Sequence, residues 1–239
     1  MFQILTIARR ELASLFYSPI AYVVLGLFAL GTAMIFFMFF APGAAASLVG
    51  VNSGLMWLMI FLVPAISMRL ISEEFRNGTI ETLMTSPISD AQVIVGKWLG
   101  AMGFLVTLLV PLMILTAVLA FTSKPDWGPI FTGFLGLICV GGLFLAIGTF
   151  ASAVTQNQII AFLLTVFIIC MLTILMYFLT GASFVPNKLI PAVYYINPME
   201  RFADFNKGVL DLPTVIYFVS VKALFLFMAV KVLESRRWR

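Results

Sequence analysis

The stretch MRLISEEFRNGTIETLMTSPISDAQVIVGK, residues 68–97, is the most highly charged part of an otherwise apolar chain. Long apolar segments flank it on both sides. Because a segment with this many charges cannot lie in lipid, two membrane spans must deliver it to water. Apolar residues recur at helical spacing in its first half, and again between Val93 and Trp98. The sequence therefore predicts a structured loop between two spans.

Two short helical segments with a break between them are predicted within this loop. Ser86-Pro87 interrupts the periodicity, because the residue before a proline is disfavoured in the helical conformation. Ser89 is followed three residues later by Gln92, which is the spacing of a capping box at the start of a new helix. This second helix is expected to continue into the next span. The mixed charges around an apolar stripe favour docking on a soluble partner, and the alternative is a solvated loop that binds nothing.

The composition is that of an integral membrane protein. Hydrophobic residues make up 62% of the 239 residues and charged residues only 10%, whereas a soluble domain is about half apolar and about one-quarter charged. The net charge of +4 follows from membrane topology and gives no reason to expect a nucleic-acid partner. With no histidine, and with Cys139 and Cys170 in apolar runs, we predict no metal, no cofactor and no catalytic site. The chain also lacks a GxxxxGK[ST] loop, so we do not expect it to bind ATP.

The first 18 residues are too charged to span a membrane and lack a signal-peptide cleavage site. At helical spacing, one arc is apolar and consists of Ile4, Leu5, Ala8, Leu12, Leu15 and Phe16. The opposite arc is polar and consists of Gln3, Thr6, Arg9, Arg10, Glu11 and Ser14. We therefore predict an amphipathic helix in the membrane interface, with Arg9 and Arg10 directed toward lipid headgroups.

Six apolar segments are long enough to cross ~30 Å of hydrocarbon. They run from about residue 20 to 41, 54 to 70, 98 to 121, 129 to 153, 159 to 180 and 214 to 233. The fourth is rich in glycine, which lets helices approach closely in lipid and favours a central position. Between the fifth and sixth, Pro186, Pro191 and Pro198 divide an apolar loop into pieces too short to span. We predict short, partly re-entrant outer helices there, or else an ordered loop resting on the bundle. Residues 1–239 are thus expected to form a single all-α membrane domain.

The distribution of lysine and arginine predicts the orientation. Nine lie on the side that would hold both termini, namely Arg9, Arg10, Arg69, Arg76, Lys97, Lys231, Arg236, Arg237 and Arg239. Four lie on the other side, namely Lys124, Lys188, Arg201 and Lys207. By the positive-inside rule, both termini and the 68–97 loop are cytoplasmic. Lys222 lies inside the sixth span, where a lysine costs ~2.5–3.5 kcal/mol, so we expect its ammonium to face the bundle interior, a wet cavity or a partner.

The segment SEEFRNGTIETLMTSPISDAQVIVGKWLGA, residues 72–101, resembles the signature that follows the second span in permease subunits of ABC-2 type (type 2 ABC) transporters. The interfacial helix, the six spans, the ASAVTQNQ turn and the outer segment resemble that family's plan along the whole chain. SPIAYVVLGLF, LVPAISMRLISEE and the C-terminal DLPTVIYFVSVKALFLFMAVKVLESRRW look closest to the gliding-motility (GldF-like) branch. The nitrous-oxide-reductase maturation (NosY-like) permease is a more distant relative.

This resemblance implies a permease subunit in the bacterial inner membrane that forms a translocation path for export. It implies a separate cytoplasmic ABC ATPase subunit that binds the ATP, a second permease subunit in a homo- or heterodimer, and room for an auxiliary membrane or periplasmic subunit. It also implies a coupling helix in the charged loop. The coupling residues are then Glu73, Glu74, Arg76, Gly78, Thr79, Glu81, Thr82, Leu83, Pro87 and Gln156.

Two other functions stay open on the residues alone. The chain could be a membrane scaffold or anchor of an envelope or gliding-motility machine. It could also be an ATP-independent channel or secondary transporter, although such proteins usually carry several ionisable residues at bilayer depth. Here Lys222 is the one clear deep charge.

Overall fold

The computed structural model describes residues 2–40, 47–78, 88–180, 186 and 190–236, and these residues form helices without any β-strand. The first helices are α1 (Phe2–Tyr17), α2 (Pro19–Phe39), α3 (Val49–Ser67) and α4 (Ser72–Asn77). They are followed by α5 (Asp90–Leu108), α6 (Val110–Thr122), α7 (Trp127–Val154) and α8 (Gln158–Cys170). A π-helical turn (Met171–Leu175) then leads to α9 (Met176–Thr180), α10 (Ile190–Ile196), α11 (Pro198–Asn206) and α12 (Leu212–Arg236).

Six helical stretches of the described chain are long and apolar enough to cross a membrane, which confirms the predicted fold class. They are Pro19–Phe39, Val49–Asn77, Asp90–Thr122, Trp127–Val154, Gln158–Thr180 and Leu212–Ser235. Each helix begins before its predicted span, and two begin much earlier, at residue 49 rather than 54 and at residue 90 rather than 98. The second begins at Val49 because its first turns pack against other helices, with Val51 and Asn52 both 1% exposed. The third begins at Asp90 because the predicted capping box is present, with Ser89 and Gln92 bonded reciprocally.

The glycine-rich helix α7 lies at the centre of the bundle, as its composition predicts. It contacts α3, α5, α8, α11 and α12, and every side chain from Leu143 to Ile147 is fully buried. One close approach depends on the absence of a side chain. A Cβ added at Gly148 would overlap the Ser67 hydroxyl of α3. Larger residues there would force α3 and α7 apart.

The amphipathic helix α1 packs along the first half of α5. A Cβ at Gly96 of α5 would lie 2.8 Å from an Ile7 methyl group, and one at Gly100 would lie 2.7 Å from the Ala8 carbonyl oxygen. Because glycines leave room for a neighbouring backbone, these positions bring the two helices into close contact. The predicted polar arc of α1 needs one correction. Glu11 is not directed to solvent or headgroups but is half-buried against α5, where a lysine neutralises it.

The described part of the loop between the fifth and sixth spans contains two short helices, α10 and α11. Asn197 caps α11 by accepting a hydrogen bond from the Met199 amide at 3.0 Å. Asn206, at the end of α11, accepts a hydrogen bond from Asn52 Nδ2 at 3.0 Å and donates one to the Val49 carbonyl at 2.7 Å. These bonds hold α11 against the start of α3. We call this end of the bundle the Asn206 end.

Candidate functional site

The opposite end of the second span carries the charged residues singled out in the sequence, and we call it the Lys97 end. The α3 helix stops at Ser67, and α4 resumes at Ser72 with Glu73, Glu74 and Arg76. Gly78 ends α4 in a left-handed conformation with φ of 70°, which glycine adopts without steric cost. The predicted coupling residues Thr79, Glu81, Thr82, Leu83 and Pro87 lie outside the described residues.

A buried lysine joins three helices at this end. Lys97 of α5 is 4% exposed. Its Nζ donates a hydrogen bond to Glu11 Oε2 of α1 at 2.8 Å and lies 2.9 Å from Glu74 Oε1 of α4. Because a buried ammonium without a counter-charge is costly, each carboxylate holds its own helix to α5. Sequence reasoning placed all three residues among the polar ones but did not pair them.

A second ionic contact ties α1 to the end of α3. Arg69 is 8% exposed. Its Nη2 donates to the Ser14 hydroxyl at 3.2 Å and to the Ser14 carbonyl at 3.3 Å, while its Nε lies 3.4 Å from Glu73 Oε2. Thus Glu74, whose side chain is 15% exposed, faces inward toward Lys97, whereas the 41% exposed Glu73 pairs with Arg69 nearer the surface. We call Glu11, Arg69, Glu73, Glu74 and Lys97 the Lys97 network.

A hydroxyl on α7 bridges the break between α3 and α4. The Ser152 Oγ accepts hydrogen bonds from the backbone amides of Ile71 at 3.0 Å and Ser72 at 2.9 Å, and donates one to the Met68 carbonyl at 3.0 Å. These backbone groups are orphaned where the helix stops, so Ser152 replaces the intrahelical partners that they lack. The α4 helix is thereby fixed to the central helix of the bundle. The sequence predicted no role for Ser152.

An open cavity of about 210 Å³ adjoins the network. Its lining residues come from α1, the α3–α4 segment and α5, namely Arg10, Glu11, Ser14, Arg69, Leu70, Glu73, Glu74, Asn77 and Lys97. Three cations and three carboxylates share this space, so their charges balance. The arrangement suits a stiff joint between helices rather than a site for a strongly charged ligand.

The other predicted site residues have different surroundings. Arg76 and Gln156 are both exposed. Gln156 lies in the turn between α7 and α8, and α4 contacts both of these helices, so the two residues share the Lys97 end. Arg9 and Arg10 are exposed on α1, and their contact with lipid headgroups stays a prediction. Lys222 lies on α12, where its Cδ is 3.6 Å from the position of a Cβ at Gly142.

A family model described as "ABC-2 family transporter protein" matches residues 41–232. The match begins just before α3 and ends within the last helix, so it includes α4, Lys97, Ser152 and Gln156. No curated protein gives a significant match to the chain.

Proposed function

Because the chain belongs to the ABC-2 family of transporter proteins, we propose that it forms the translocation path of an exporter and is driven by a separate cytoplasmic ATPase subunit. Six apolar helices suited to crossing a membrane fit a permease of an ABC transporter. In this proposal the partner subunit binds and hydrolyses ATP, and the chain itself catalyses no reaction. The gliding-motility branch is the proposed subfamily, on the segments that resemble it.

The observation that carries the proposal is the buried position of Lys97 between Glu11 and Glu74. Moving α4 away from α5 would break the ion pair between Glu74 and Lys97 at a buried site, which is strongly unfavourable. A push on α4 is therefore passed to α1 and α5 rather than absorbed by bending of the joint. Ser152 extends the same connection to α7. This is the mechanical property that a subunit driven from outside the membrane requires.

The coupling residues divide into two groups in this proposal. Glu73 and Glu74 transmit motion, because their carboxylates pair with the buried cations Arg69 and Lys97. The exposed Arg76 of α4 and the exposed Gln156 of the α7–α8 turn contact the ATPase directly at the Lys97 end. The remaining proposed contacts lie in the adjacent loop and are Gly78, Thr79, Glu81, Thr82, Leu83 and Pro87.

The Lys97 end faces the cytoplasm in this proposal, in a bacterial inner membrane. The excess of lysine and arginine at this end supports that orientation. The spans Pro19–Phe39, Gln158–Thr180 and Leu212–Ser235 are the least buried of the six. Their apolar faces are suited to membrane lipid and to a second permease subunit.

Co-purification with the native ATPase tests the docking proposal. The variant Arg76→Glu, combined with Gln156→Glu, changes two exposed side chains at the Lys97 end without touching the Lys97 network. We expect reduced recovery of the ATPase with the affinity-tagged double variant, together with normal amounts of the variant itself in the membrane. Charge changes at the rim of an interface mainly weaken association, so partial loss is expected.

The matched control is Lys124→Glu, which reverses an exposed cation in the turn between α6 and α7, at the Asn206 end. It should leave ATPase recovery unchanged. Undiminished recovery with the double variant, or an equal loss with Lys124→Glu, would contradict docking at the Lys97 end.

A further inference from the structure

Lys222 lies almost at the middle of the sixth span. The apolar helix that contains it runs from Leu212 to Ser235. At 1.5 Å per residue, Lys222 is about 2 Å from the midpoint of this helix. The nearest headgroups are therefore about 13 Å away along the helix axis, given ~30 Å of hydrocarbon. A lysine stem reaches about 6 Å, so the ammonium does not reach the interface by snorkelling.

The side chain starts from the packed face of α12 and not from its lipid-facing side. Phe218 and Ala229, one and two turns away on the same stripe, are both fully buried. The Lys222 stem passes over Gly142 of α7, where the missing side chain leaves room for it. The Met102 sulfur of α5 fills the other side of the same space, 3.0 Å from where a Gly142 Cβ would lie. Lys222 itself is only half-buried, so part of it remains accessible from the membrane.

Nothing in the described part of the chain neutralises this ammonium. Lys222 makes no hydrogen bond or ion pair to another described residue, and the Cys139 thiol lies near it. The nearby Gly142 carbonyl already accepts a hydrogen bond from Trp98 Nε1 at 3.0 Å. A half-buried charge at this depth is stable only if something compensates it.

The compensating anion does not come from a second copy of this chain. By sequence, none of the ten acidic residues lies inside one of the six apolar segments; they are Glu11, Glu73, Glu74, Glu81, Asp90, Asp126, Glu200, Asp204, Asp211 and Glu234. None of them is at the depth of Lys222. A homodimer would therefore bring a second lysine, but no carboxylate, to the bilayer midplane. Lipid phosphates are excluded as well, because they stay in the headgroup region.

We infer that Lys222 is an intramembrane docking site for a transmembrane helix of a different protein, and that this helix carries an Asp or Glu near its midpoint. Charge complementarity at a matching depth supports this occupant. The partly exposed Lys222 lies where α12 meets α7, so a helix arriving from the membrane can place its carboxylate there. The inference concerns complex assembly and does not depend on the ATPase-coupling proposal.

The test uses the full chain reconstituted in phosphatidylcholine vesicles and a synthetic leucine-rich helix of about 20 residues with one central Glu. Association is measured by energy transfer between a fluorophore at the protein's C terminus and a label on the peptide. We expect the Glu peptide to bind about tenfold more tightly than the same peptide with Gln. Lys222→Met should abolish this preference, and it should fold well because it removes a charge from lipid depth.

A position control distinguishes a specific site at Lys222 from a general effect of any lysine at this depth. In Lys222→Met combined with Leu224→Lys, the lysine moves two residues along, to a side chain that is 55% exposed. The double variant should not recover the preference for the Glu peptide. Equal binding of the Glu and Gln peptides to the unmodified chain would show that Lys222 is neutralised by water. A preference that survives in Lys222→Met, or returns fully with Leu224→Lys, would also overturn the inference.

Discussion

Replacing Lys97 by methionine should destabilise the protein far more than replacing a surface lysine. Lys97→Met keeps the length and apolar character of the stem but removes the charge shared by Glu11 and Glu74. Both carboxylates then remain near each other at a site where their side chains are only 12% and 15% exposed. Two like charges that have lost the ammonium between them repel, and neither is fully hydrated.

The expected loss is about 3–5 kcal/mol of unfolding free energy, the cost of removing one partner from a buried ion pair. Lys231 offers a comparison within the same chain. Its Nζ lies 2.7 Å from Glu234 Oε2, close to the 2.8 Å of the Lys97–Glu11 pair, but the Lys231 side chain is 56% exposed. Lys231→Met should therefore cost no more than about 1 kcal/mol. The difference in unfolding free energy between Lys97→Met and Lys231→Met isolates the effect of burial, because the lysine–carboxylate distances are nearly the same.

The assay is reversible unfolding in mixed micelles, with tryptophan fluorescence as the signal. A further variant joins Lys97→Met to Glu11→Gln and Glu74→Gln, so that no charge is left unpaired. It should recover most of the lost stability, because replacing a whole buried charge set is often close to neutral. The reasoning fails if Lys97→Met is no less stable than Lys231→Met. It also fails if the triple variant is as unstable as Lys97→Met alone.

Three other predictions concern helix packing, the α3–α4 break and topology. Gly100→Ala should displace α1, because the new Cβ would lie 2.7 Å from the Ala8 carbonyl oxygen. Limited proteolysis should then cleave α1 faster in the variant, and an unchanged cleavage rate would contradict the prediction. Ser152→Ala leaves the amides of Ile71 and Ser72 without an acceptor and should lower the unfolding free energy by about 1–3 kcal/mol in the same assay. An unchanged unfolding free energy would contradict the role of this hydroxyl. In a cysteine-free background, a cysteine at exposed Lys207 should react with an impermeant thiol reagent from outside the cell, and one at Gln156 only from the cytoplasm. The reverse labelling pattern would overturn the orientation.

The number of spans could be predicted from the sequence because each apolar run must match the thickness of the bilayer. The start of α5 was also predictable, since Ser89 and Gln92 form a local motif that acts over three residues. The central position of α7 followed from its glycines, whose only packing advantage is close approach. All three signals are local, so they are readable without knowing which helices are neighbours.

The candidate site was only partly predictable because its contacts join distant parts of the chain. Glu11 and Lys97 are 86 residues apart, and Ser152 is 80 residues from Ser72. Helical periodicity placed Glu11 on a polar arc, but it did not show that another helix would cover this arc. The spacing of Gly96, Gly100 and Gly103 was a usable signal, since a stripe of small residues marks a close helix contact. It indicates that α5 has a close neighbour, and the structure identifies that neighbour as α1.

The central claim is that the Lys97 end receives force from an ATPase, and site-specific photocrosslinking tests it most directly. A photoreactive residue is placed at Arg76, at Gln156 or, as control, at Lys124, all of which are exposed. Native membranes are irradiated, and the crosslinked chains are probed with a labelled ATP analogue. Our account predicts an ATP-binding chain crosslinked at Arg76 and Gln156 but not at Lys124. If neither Arg76 nor Gln156 captures an ATP-binding chain, or if Lys124 captures it equally well, the account is contradicted.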